Sequence, residues 1–447
     1  MRISIALEQD GGDAVIGEAG FDASGCGAAI AAGSAAVGLL RGTPLLEAAL
    51  LGAEAIATEL GGLSASKLHA AELAADAMHR ALGAGARGCP QPAPCPGRSL
   101  VAMSGGVDSA VAALLVRSAG EQAVAVTLEL WSDPEGDGEL SCCSAQAVRG
   151  ARALAHELGI PHFSIDLREE FRAGVVDGWL QAHHEGLTPN PCVACNGHVR
   201  LDAMLELADR LGAETLATGH YARVSEEGLL RVASDARKDQ SYVLSALSQP
   251  SLARMRFPLG SMHKTEVREL AERAGLAVAR RRDSQDLCFL AGTGQERFLS
   301  RHGGLGRRPG PITDARGVKL GEHPGRHLLT VGQRHGLGLS GPEPLYVLGT
   351  DPATNTVTVG PRPALLIDEL PLRAMTLLRD GDRVDGVRVR AHGRLHRCRL
   401  EGGRSPGEHR DGLVRLERSM ERTAPGQIAC LYDGEQVVGH AEVAARR

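Results

Sequence analysis

Short apolar runs alternate with helical patterns through the middle of the chain. Residues 99–103, 124–128, 163–165 and 215–218 are strand-like, and residues 144–158 and 199–211 show the spacing of amphipathic helices. Strands that alternate with helices form parallel sheets, because each helix carries the chain back across the sheet. The pattern predicts an α/β fold with a doubly wound parallel sheet over residues 98–296.

Different patterns flank this segment. In residues 1–84, a strand alternating at Ile3 and Ile5 precedes a glycine turn and two Ala/Leu-rich helices, at about 45–59 and 66–82. Residues 85–97 contain four prolines and no periodicity, which is typical of a linker. After residue 297, Gly- and Pro-rich turns separate short β runs. We expect a small α+β domain at 1–84, a central β-rich domain at 297–363 and a C-terminal β-barrel at 364–447.

Composition limits the possible functions. The 447 residues are 43% hydrophobic and carry a net charge of −5, which does not by itself indicate a nucleic-acid partner. No apolar run reaches bilayer-spanning length and the N-terminus lacks a signal-peptide pattern, so we expect a cytosolic protein. The ten cysteines are then expected as thiols, metal ligands or catalysts rather than disulfides. Only four of the 49 Lys and Arg residues are lysine, which makes each lysine notable.

Residues 104–109 have the sequence Ser-Gly-Gly-Val-Asp-Ser, between a predicted strand and a predicted helix. Glycines at such a junction let backbone N–H groups approach an anion, and the helix N-terminus adds a favourable partial charge. The serine hydroxyls can donate hydrogen bonds, and Asp108 can hold magnesium or orient the loop. No Gly-Lys-Ser/Thr follows, so this is not a Walker A loop. The segment predicts a pyrophosphate-binding loop.

Other polar clusters carry reactive side chains. Residues 188–196 contain the C-x-x-C pair Cys192 and Cys195 among prolines and asparagines, which predicts a rigid loop. The pair fits a redox couple, half a zinc site or part of an iron–sulfur site, and these alternatives stay open. Cys288 follows an acidic loop, residues 238–242 begin with one of the four lysines, and His220 directly follows a predicted strand.

Together these motifs resemble a known family. Residues 104–109 resemble the PP-loop of the N-type ATP pyrophosphatases, which cleave ATP to AMP and pyrophosphate. From residue 98 to about 445 the chain resembles the tRNA-specific 2-thiouridylases, through the strings SGGVDS, NPxxxCN, ATGHYAR, KDQSY, DSQDLCF and TVGQRHGLG. The resemblance implies that ATP, with Mg²⁺, adenylates O2 of the wobble uridine of tRNA, and that sulfur then attacks C2.

The resemblance also implies roles for individual residues. Cys195 is expected to be the nucleophile and Cys288 the carrier of sulfane sulfur. The ATP site is expected to comprise Ala102, Met103, Ser104, Gly105, Gly106, Val107, Asp108, Ser109, Leu128 and Gly219. Contacts with tRNA are expected from Asn190, Pro191, Cys192, Lys238, Asp239, Gln240 and, in the C-terminal barrel, Arg394.

Cys192 stands where many members of that family have aspartate. With Cys195 and Cys288 it supplies three thiolates, which resembles the tRNA thiolases that hold a 4Fe-4S cluster on three cysteines. The competing interpretation is a persulfide relay through Cys288 and Cys195. Cys142 and Cys143 serve neither interpretation and are expected to be structural or redox-labile.

Residues 1–84 resemble a shortened iron–sulfur scaffold domain of the NifU/IscU type, through the strings GCGAAIAAGS, LRG and KLHAAELAADA. Such scaffolds use three cysteines, and here only Cys26 remains. The expected roles are docking of a cysteine desulfurase or sulfur-relay protein, dimerisation, or a structural appendage. For the whole chain two alternatives stay open: a PP-loop ligase that acts on a small molecule, and an iron–sulfur carrier without catalysis.

Overall fold

The computed structural model describes residues 1–8, 12–133, 144–281, 287–341 and 343–445. The chain divides into two compact units. The first unit contains residues 1–169, 200–220 and 253–289, and the second unit contains residues 170–199, 221–252 and 290–447. The predicted domain at 98–296 contributes residues to both units. In the described part of the chain, no helix has both the length and the apolarity needed to cross a membrane.

The helices and strands follow one another in this order. Up to residue 184 they are β1 (Arg2–Glu8), β2 (Val15–Asp22), α1 (Gly27–Leu40), α2 (Leu45–Ala48), α3 (Ala53–Glu59), α4 (Leu68–Gly88), β3 (Cys95–Ala102), α5 (Val107–Ser118), β4 (Gln122–Glu129), α6 (Ala145–Glu157), β5 (His162–Asp166), α7 (Arg168–Phe171) and α8 (Asp177–His184). They continue with α9 (Pro191–Ala194), α10 (Leu201–Arg210), β6 (Ala213–Thr218), β7 (Arg223–Val224), β8 (Leu230–Arg231), α11 (Gln249–Arg254), β9 (Met255–Arg256), α12 (Lys264–Arg273) and α13 (Gln295–Gly303). The remaining strands are β10 (Gly310–Thr313), β11 (Lys319–His323), β12 (Tyr346–Asp351), β13 (Thr356–Gly360), β14 (Leu366–Leu377), β15 (Gly386–Arg388), β16 (His396–Leu400), β17 (Gly407–Glu421), β18 (Ile428–Asp433) and β19 (Gln436–Val443).

The first unit is built on a five-stranded sheet with the order β5-β4-β3-β6-β9. All four pairings are parallel, which confirms the predicted α/β fold. The central strand β3 is buried from Arg98 onwards, since helices cover the sheet and leave an apolar strand no exposed face. Its last residue, Ala102, is in register with Val126 of β4 and Thr218 of β6. Strands β3 and β6 therefore end together at one edge of the sheet, and β4 continues to Glu129.

The N-terminal segment differs from its prediction in three places. Helix α1 was not predicted, and the single helix expected at 45–59 is two helices, α2 and α3. Helix α4 continues through Gly88, and β3 begins at Cys95. The expected linker at 85–97 is therefore reduced to residues 89–94. The Ala-rich sequence extends the helix until Pro90, since the residue before a proline avoids helical backbone angles.

The second unit contains two sheets. Four strands form a sheet with the order β11-β10-β13-β12. Six others form a closed ring, β14-β17-β16-β15-β18-β19, because β14 also pairs with β19. This ring is the predicted C-terminal barrel, and Val414, Leu431 and Val438 lie in its apolar core. The hairpin β7–β8 joins the ring through Gln436 and Arg231.

Candidate functional site

The loop of residues 104–106 lies between β3 and α5. Gly105 has φ of 70°, a backbone conformation that favours glycine. Gly106 is the N-cap of α5 and carries no side chain that could accept from the first N–H groups of the helix. The N-cap residue therefore does not compete with an anionic ligand for those groups, and the helix N-terminus also contributes positive partial charge.

The hydroxyl of Ser109 holds this loop in shape. It donates to the carbonyl oxygen of Gly106 at 3.0 Å and accepts from the N–H of Ser104 at 3.2 Å. Ser109 is 6% exposed, whereas Ser104 is half-buried. Of the two serines, Ser104 is therefore the better placed to donate to a phosphate, and Ser109 acts on the loop itself.

Two cations that the sequence analysis did not assign contact the loop. The Lys264 Nζ lies 2.6 Å from Asp108 Oδ1, and the Arg281 Nη1 donates to the carbonyl oxygen of Gly105 at 3.0 Å. Lys264 is the first residue of α12, which packs against α5. The scarcity of lysine was the available signal for Lys264. Arg281 lies in an arginine triplet that has the appearance of ordinary surface.

The other predicted ATP residues lie at the same edge of the sheet. Leu128 is buried near the end of β4, and Gly219 follows β6. A Cβ atom on Gly219 would lie 2.7 Å from the backbone nitrogen of Ser109, so only glycine lets these segments approach so closely. Burial, reinforced by the Arg200 charge, lowers the pKa of His220 to about 3, so its imidazole is neutral at neutral pH.

The C-x-x-C segment is helical, which corrects the predicted rigid loop. The Asn190 side chain caps α9 by accepting from the Cys192 N–H at 3.0 Å, and Pro191 occupies the first helical turn. Asparagine before proline is a helix-start signal. The asparagine side chain caps the helix, and the proline ring fixes φ at the first helical position, where a backbone N–H has no partner within the helix. Cys195 begins a π-helical turn at 195–200 and is 8% exposed, and Cys192 is half-buried.

Cys288 lies in the first unit, and Cys192 and Cys195 lie in the second. Cys288 is half-buried beside Phe289, whose ring packs edge-on against Trp131 at 6.5 Å. Cys142, Cys143 and residues 283–286 fall outside the described residues. Within the described ranges, no group of three or more His, Cys, Asp and Glu side chains is arranged to hold a metal ion.

The side chain of Asp239, a predicted tRNA contact, is enclosed by other groups of the protein. It is 3% exposed, and its carboxylate lies 2.5 Å from Arg388 Nη1 and accepts from the Ala233 N–H and the Ser241 hydroxyl, both at 2.9 Å. A carboxylate enclosed by these partners anchors its loop to the barrel. Lys238 is half-buried.

The predicted tRNA residue Gln240 is part of the same loop. It is half-buried, and its side-chain carbonyl oxygen accepts from the Tyr221 N–H at 2.9 Å. Tyr242 closes the loop by donating from its hydroxyl to the Ile428 carbonyl oxygen at 2.9 Å. The KDQSY loop is therefore held in place by the barrel on which it lies.

Arg394 is exposed in the connection between β15 and β16. Arg390, also exposed, begins the turn that Gly393 completes by donating its N–H to the Arg390 carbonyl oxygen at 2.9 Å. The Arg390 guanidinium lies 3.7 Å from the Cβ position of Gly332, in the TVGQRHGLG string. This string and the barrel connection thus meet at an exposed basic surface.

Family models cover most of the chain. The tRNA methyl transferase HUP domain matches residues 98–292, and the tRNA methyl transferase PRC-barrel domain matches residues 296–361. The NifU-like N terminal domain matches residues 1–86, and the aminomethyltransferase beta-barrel domain matches residues 382–443.

The chain is similar to named proteins along its length. It is 43% identical to the bifunctional protein NifU/MnmA of Rubrobacter xylanophilus, over 98% of this chain and 90% of that protein. It is 43% identical to the tRNA-specific 2-thiouridylase MnmA of Chloroflexus aurantiacus, over 77% of this chain and 98% of that protein. It is 44% identical to the tRNA-specific 2-thiouridylase MnmA of Thermobifida fusca, over 78% of this chain and 95% of that protein. The chain therefore belongs to the MnmA family of tRNA-specific 2-thiouridylases, in the form that carries an N-terminal NifU-like domain.

Proposed function

We propose that this chain is an ATP-dependent tRNA-uridine 2-sulfurtransferase that thiolates C2 of the wobble uridine. The observation that carries the proposal is the complete PP-loop at the end of β3, with Asp108 paired to Lys264, in a chain that aligns along its length with the bifunctional NifU/MnmA relative. A small-molecule ligase would need the loop but would leave the cysteine segments and the barrel without a purpose. An iron–sulfur carrier would not need the loop.

The first step activates the uracil carbonyl. Its O2 attacks the α-phosphorus of ATP, an O–P bond forms, the α–β anhydride bond breaks and pyrophosphate leaves. The open N–H groups of the α5 N-terminus and the Lys264 ammonium are the groups that stabilise the charge on pyrophosphate. Magnesium, when bound, neutralises further phosphate charge. Because Asp108 faces Lys264, an ion held by Asp108 would share that carboxylate.

The second step inserts sulfur. The terminal sulfur of a persulfide on Cys288 attacks C2, a C–S bond forms, the C–O bond breaks and AMP leaves. The Cys195 thiolate then attacks the Cys288 sulfur, which releases 2-thiouridine and leaves a Cys195–Cys288 disulfide. The sulfane sulfur gains the two electrons that the two thiols lose. A thiol reductant then reduces the disulfide back to two thiols. A cysteine desulfurase or sulfur-relay protein is the proposed donor of the persulfide.

Recognition of tRNA is assigned to the second unit. We retain Asn190, Pro191, Cys192, Lys238, Gln240 and Arg394 as proposed contacts. Asp239 is reassigned as a residue that positions the loop, because its carboxylate is enclosed by Arg388 and backbone donors. We expect Arg394→Ala to weaken tRNA binding. This loss of affinity should become smaller as the salt concentration rises, since an exposed arginine acts on RNA mainly through phosphate charge.

The test combines the purified chain with a tRNA transcript bearing a wobble uridine, ATP, Mg²⁺, a persulfide donor and a dithiol. We expect one AMP and one pyrophosphate for each 2-thiouridine found by mass spectrometry of the digested tRNA. Ser104→Ala and Asp108→Ala should lose both ATP cleavage and thiolation, whereas Cys195→Ser should lose thiolation. Thiolation that persists without ATP cleavage would refute the proposal.

The route of the sulfur has its own test, because Cys192 offers a third thiol. The persulfide route predicts no stoichiometric iron or acid-labile sulfide in the anaerobically purified wild-type chain or in Cys192→Ser. Iron and sulfide that are present in the wild type and lost in Cys192→Ser would replace the persulfide route with a 4Fe-4S route. Neither result alters the assignment of the ATP step.

A further inference from the structure

Helix α4 of the NifU-like domain lies along strand β5, the outer strand of the parallel sheet. Three α4 residues spaced by four, His79, Gly83 and Arg87, meet the carbonyl oxygens of alternate β5 residues. The His79 Nδ1 is 3.2 Å from the His162 oxygen, and Arg87 Nη1 donates to the Asp166 oxygen at 2.9 Å. Four residues of a helix rise about 6 Å, and two residues of a strand rise about 6.6 Å. Every fourth residue of α4 therefore lies beside every second residue of β5.

Between those two contacts, Gly83 brings the helix backbone against the strand. A Cβ atom at Gly83 would lie 2.0 Å from the Ser164 carbonyl oxygen. Any side chain there would separate α4 from β5. The helix therefore covers the edge of the sheet, where unpaired carbonyl groups otherwise face outward.

Two ion pairs also join the N-terminal domain to the rest of the first unit. Arg98 of β3, 5% exposed, makes two hydrogen bonds to the Asp13 carboxylate at 2.7 and 2.9 Å. Arg152 of α6 lies 2.6 Å from Asp76 of α4. Buried arginines need such partners, since an unpaired buried charge is strongly unfavourable. The PP-loop domain thus depends on the N-terminal domain to neutralise two of its own arginines.

A buried chain of hydrogen bonds links the contact between the N-terminal domain and the parallel sheet to the PP-loop. The Thr127 hydroxyl donates to the Met103 carbonyl oxygen at 2.8 Å, and Met103 directly precedes the loop. Because that hydroxyl proton is committed to Met103, the His162 Nε2, 2.8 Å from the Thr127 oxygen, is the donor between them. The His162 backbone N–H in turn donates to the Ala49 carbonyl oxygen of the N-terminal domain at 3.1 Å.

We propose that residues 1–88 are a permanent structural layer of the first unit, which caps the β5 edge and positions Met103 and the PP-loop through His162 and Thr127. The domain is then a positioning element for ATP binding, a role separate from any sulfur chemistry at Cys26. The part of this proposal that concerns ATP rests on the proposed function. The capping of β5 does not.

The first experiment tests permanence without nucleotide. A protease site is inserted after the exposed Gln91, between α4 and β3, and the folded full chain is cleaved. We expect the two fragments to co-elute on gel filtration and to unfold in one thermal transition. Separation of the N-terminal fragment under native conditions would overturn the proposal, even if the remaining chain still thiolates tRNA.

The second experiment tests positioning, with the Kd of a non-hydrolysable ATP analogue and Mg²⁺ measured by calorimetry. Gly83→Ala should weaken binding about tenfold or more, because it displaces α4. Gly88→Ala on the same helix meets no atom within 4 Å and should match the wild type. Thr127→Val should weaken binding about tenfold and Thr127→Ser should restore it, since serine keeps the hydroxyl.

Cys26→Ser separates this role from a sulfur relay, and its Kd for the analogue should equal that of the wild type. Wild-type affinity in both Gly83→Ala and Thr127→Val would overturn the positioning role even if the cleaved fragments stay together. If the wild type itself fails to bind the analogue, the proposed function fails, while co-elution of the cleaved fragments still tests the capping of β5.

Discussion

At the scale of single residues, the proposed ATP site depends on contacts between side chains far apart in the sequence. Lys264 and Asp108 are separated by 156 positions and lie 2.6 Å apart. Gly219 meets the first turn of α5 so closely that no Cβ atom fits. A lysine charge and an absent methyl group are therefore as much part of the site as the SGGVDS string.

Replacement of Lys264 tests its charge. We expect Lys264→Met to lower the rate of tRNA-dependent pyrophosphate release about 100-fold, because a group that stabilises the leaving pyrophosphate is lost. Lys264→Arg should retain part of the rate, since it keeps the charge in a different geometry. Steady-state kcat and KM for ATP separate the effect on chemistry from that on binding. Unchanged values for Lys264→Met would show that the ion pair with Asp108 is only structural.

Gly219→Ala tests the close approach to α5. The added methyl group would lie 2.7 Å from the Ser109 nitrogen, so the loop must move, and we expect ATP affinity to fall at least about tenfold. Gly38→Ala, on an exposed position of α1 with no atom within 4 Å, is the matched control. Calorimetric titration with the ATP analogue measures both. Equal affinities would mean that the loop tolerates a wider approach.

At the scale of elements, the local sequence pattern determines where most strands and helices lie, and the tertiary structure determines their contacts. The strands at 122–129, 162–166 and 213–218 and the helices at 145–157 and 201–210 lie close to their predicted positions, because their periodicity is strong. The short helix at Pro191 was missed, although Asn190 before it is a helix-start signal. The ion pair of Asp239 was not anticipated, because no local pattern reveals that Arg388, 149 positions away, contacts its carboxylate.

We expect the Arg388–Asp239 ion pair to contribute to the free energy of unfolding. Asp239→Ala leaves the mostly buried Arg388 without its carboxylate and should lower the free energy of unfolding by about 3–5 kcal/mol. Glu322→Gln removes the partner of Lys319 in an exposed pair and should cost less than about 1 kcal/mol. Urea denaturation measures both variants. Similar small losses would mean that Arg388 finds another partner or water.

At the scale of the whole molecule, three histidines are concentrated at the seam between the N-terminal domain and the sheet. Burial, with help from the Arg152 charge, lowers the pKa of His79 to about 3 and places that of His162 well below its usual value. Burial also lowers the pKa of His156. All three imidazoles are therefore neutral in the folded protein at neutral pH.

These histidines predict that stability falls in mild acid. Below about pH 6.5 the unfolded chain binds protons that the folded chain excludes, so stability is lost as the pH falls from there towards 3. His79 contributes up to about 1.4 kcal/mol per pH unit in this range. Urea denaturation between pH 7 and pH 5 measures the slope. His79→Gln should reduce it, and an unchanged slope would contradict the assignment.

The sequence alone determined the parallel sheet, the position of the SGGVDS loop and the presence of a C-terminal barrel, because each depends on periodicity or on residues adjacent in the chain. It located the candidate cysteines but not their surroundings. Only the tertiary structure decided that β14 and β19 close the barrel, that Lys264 meets Asp108, and that α4 caps β5. Each of these depends on groups that are distant in the sequence, and burial and hydrogen bonding in the folded chain bring them together.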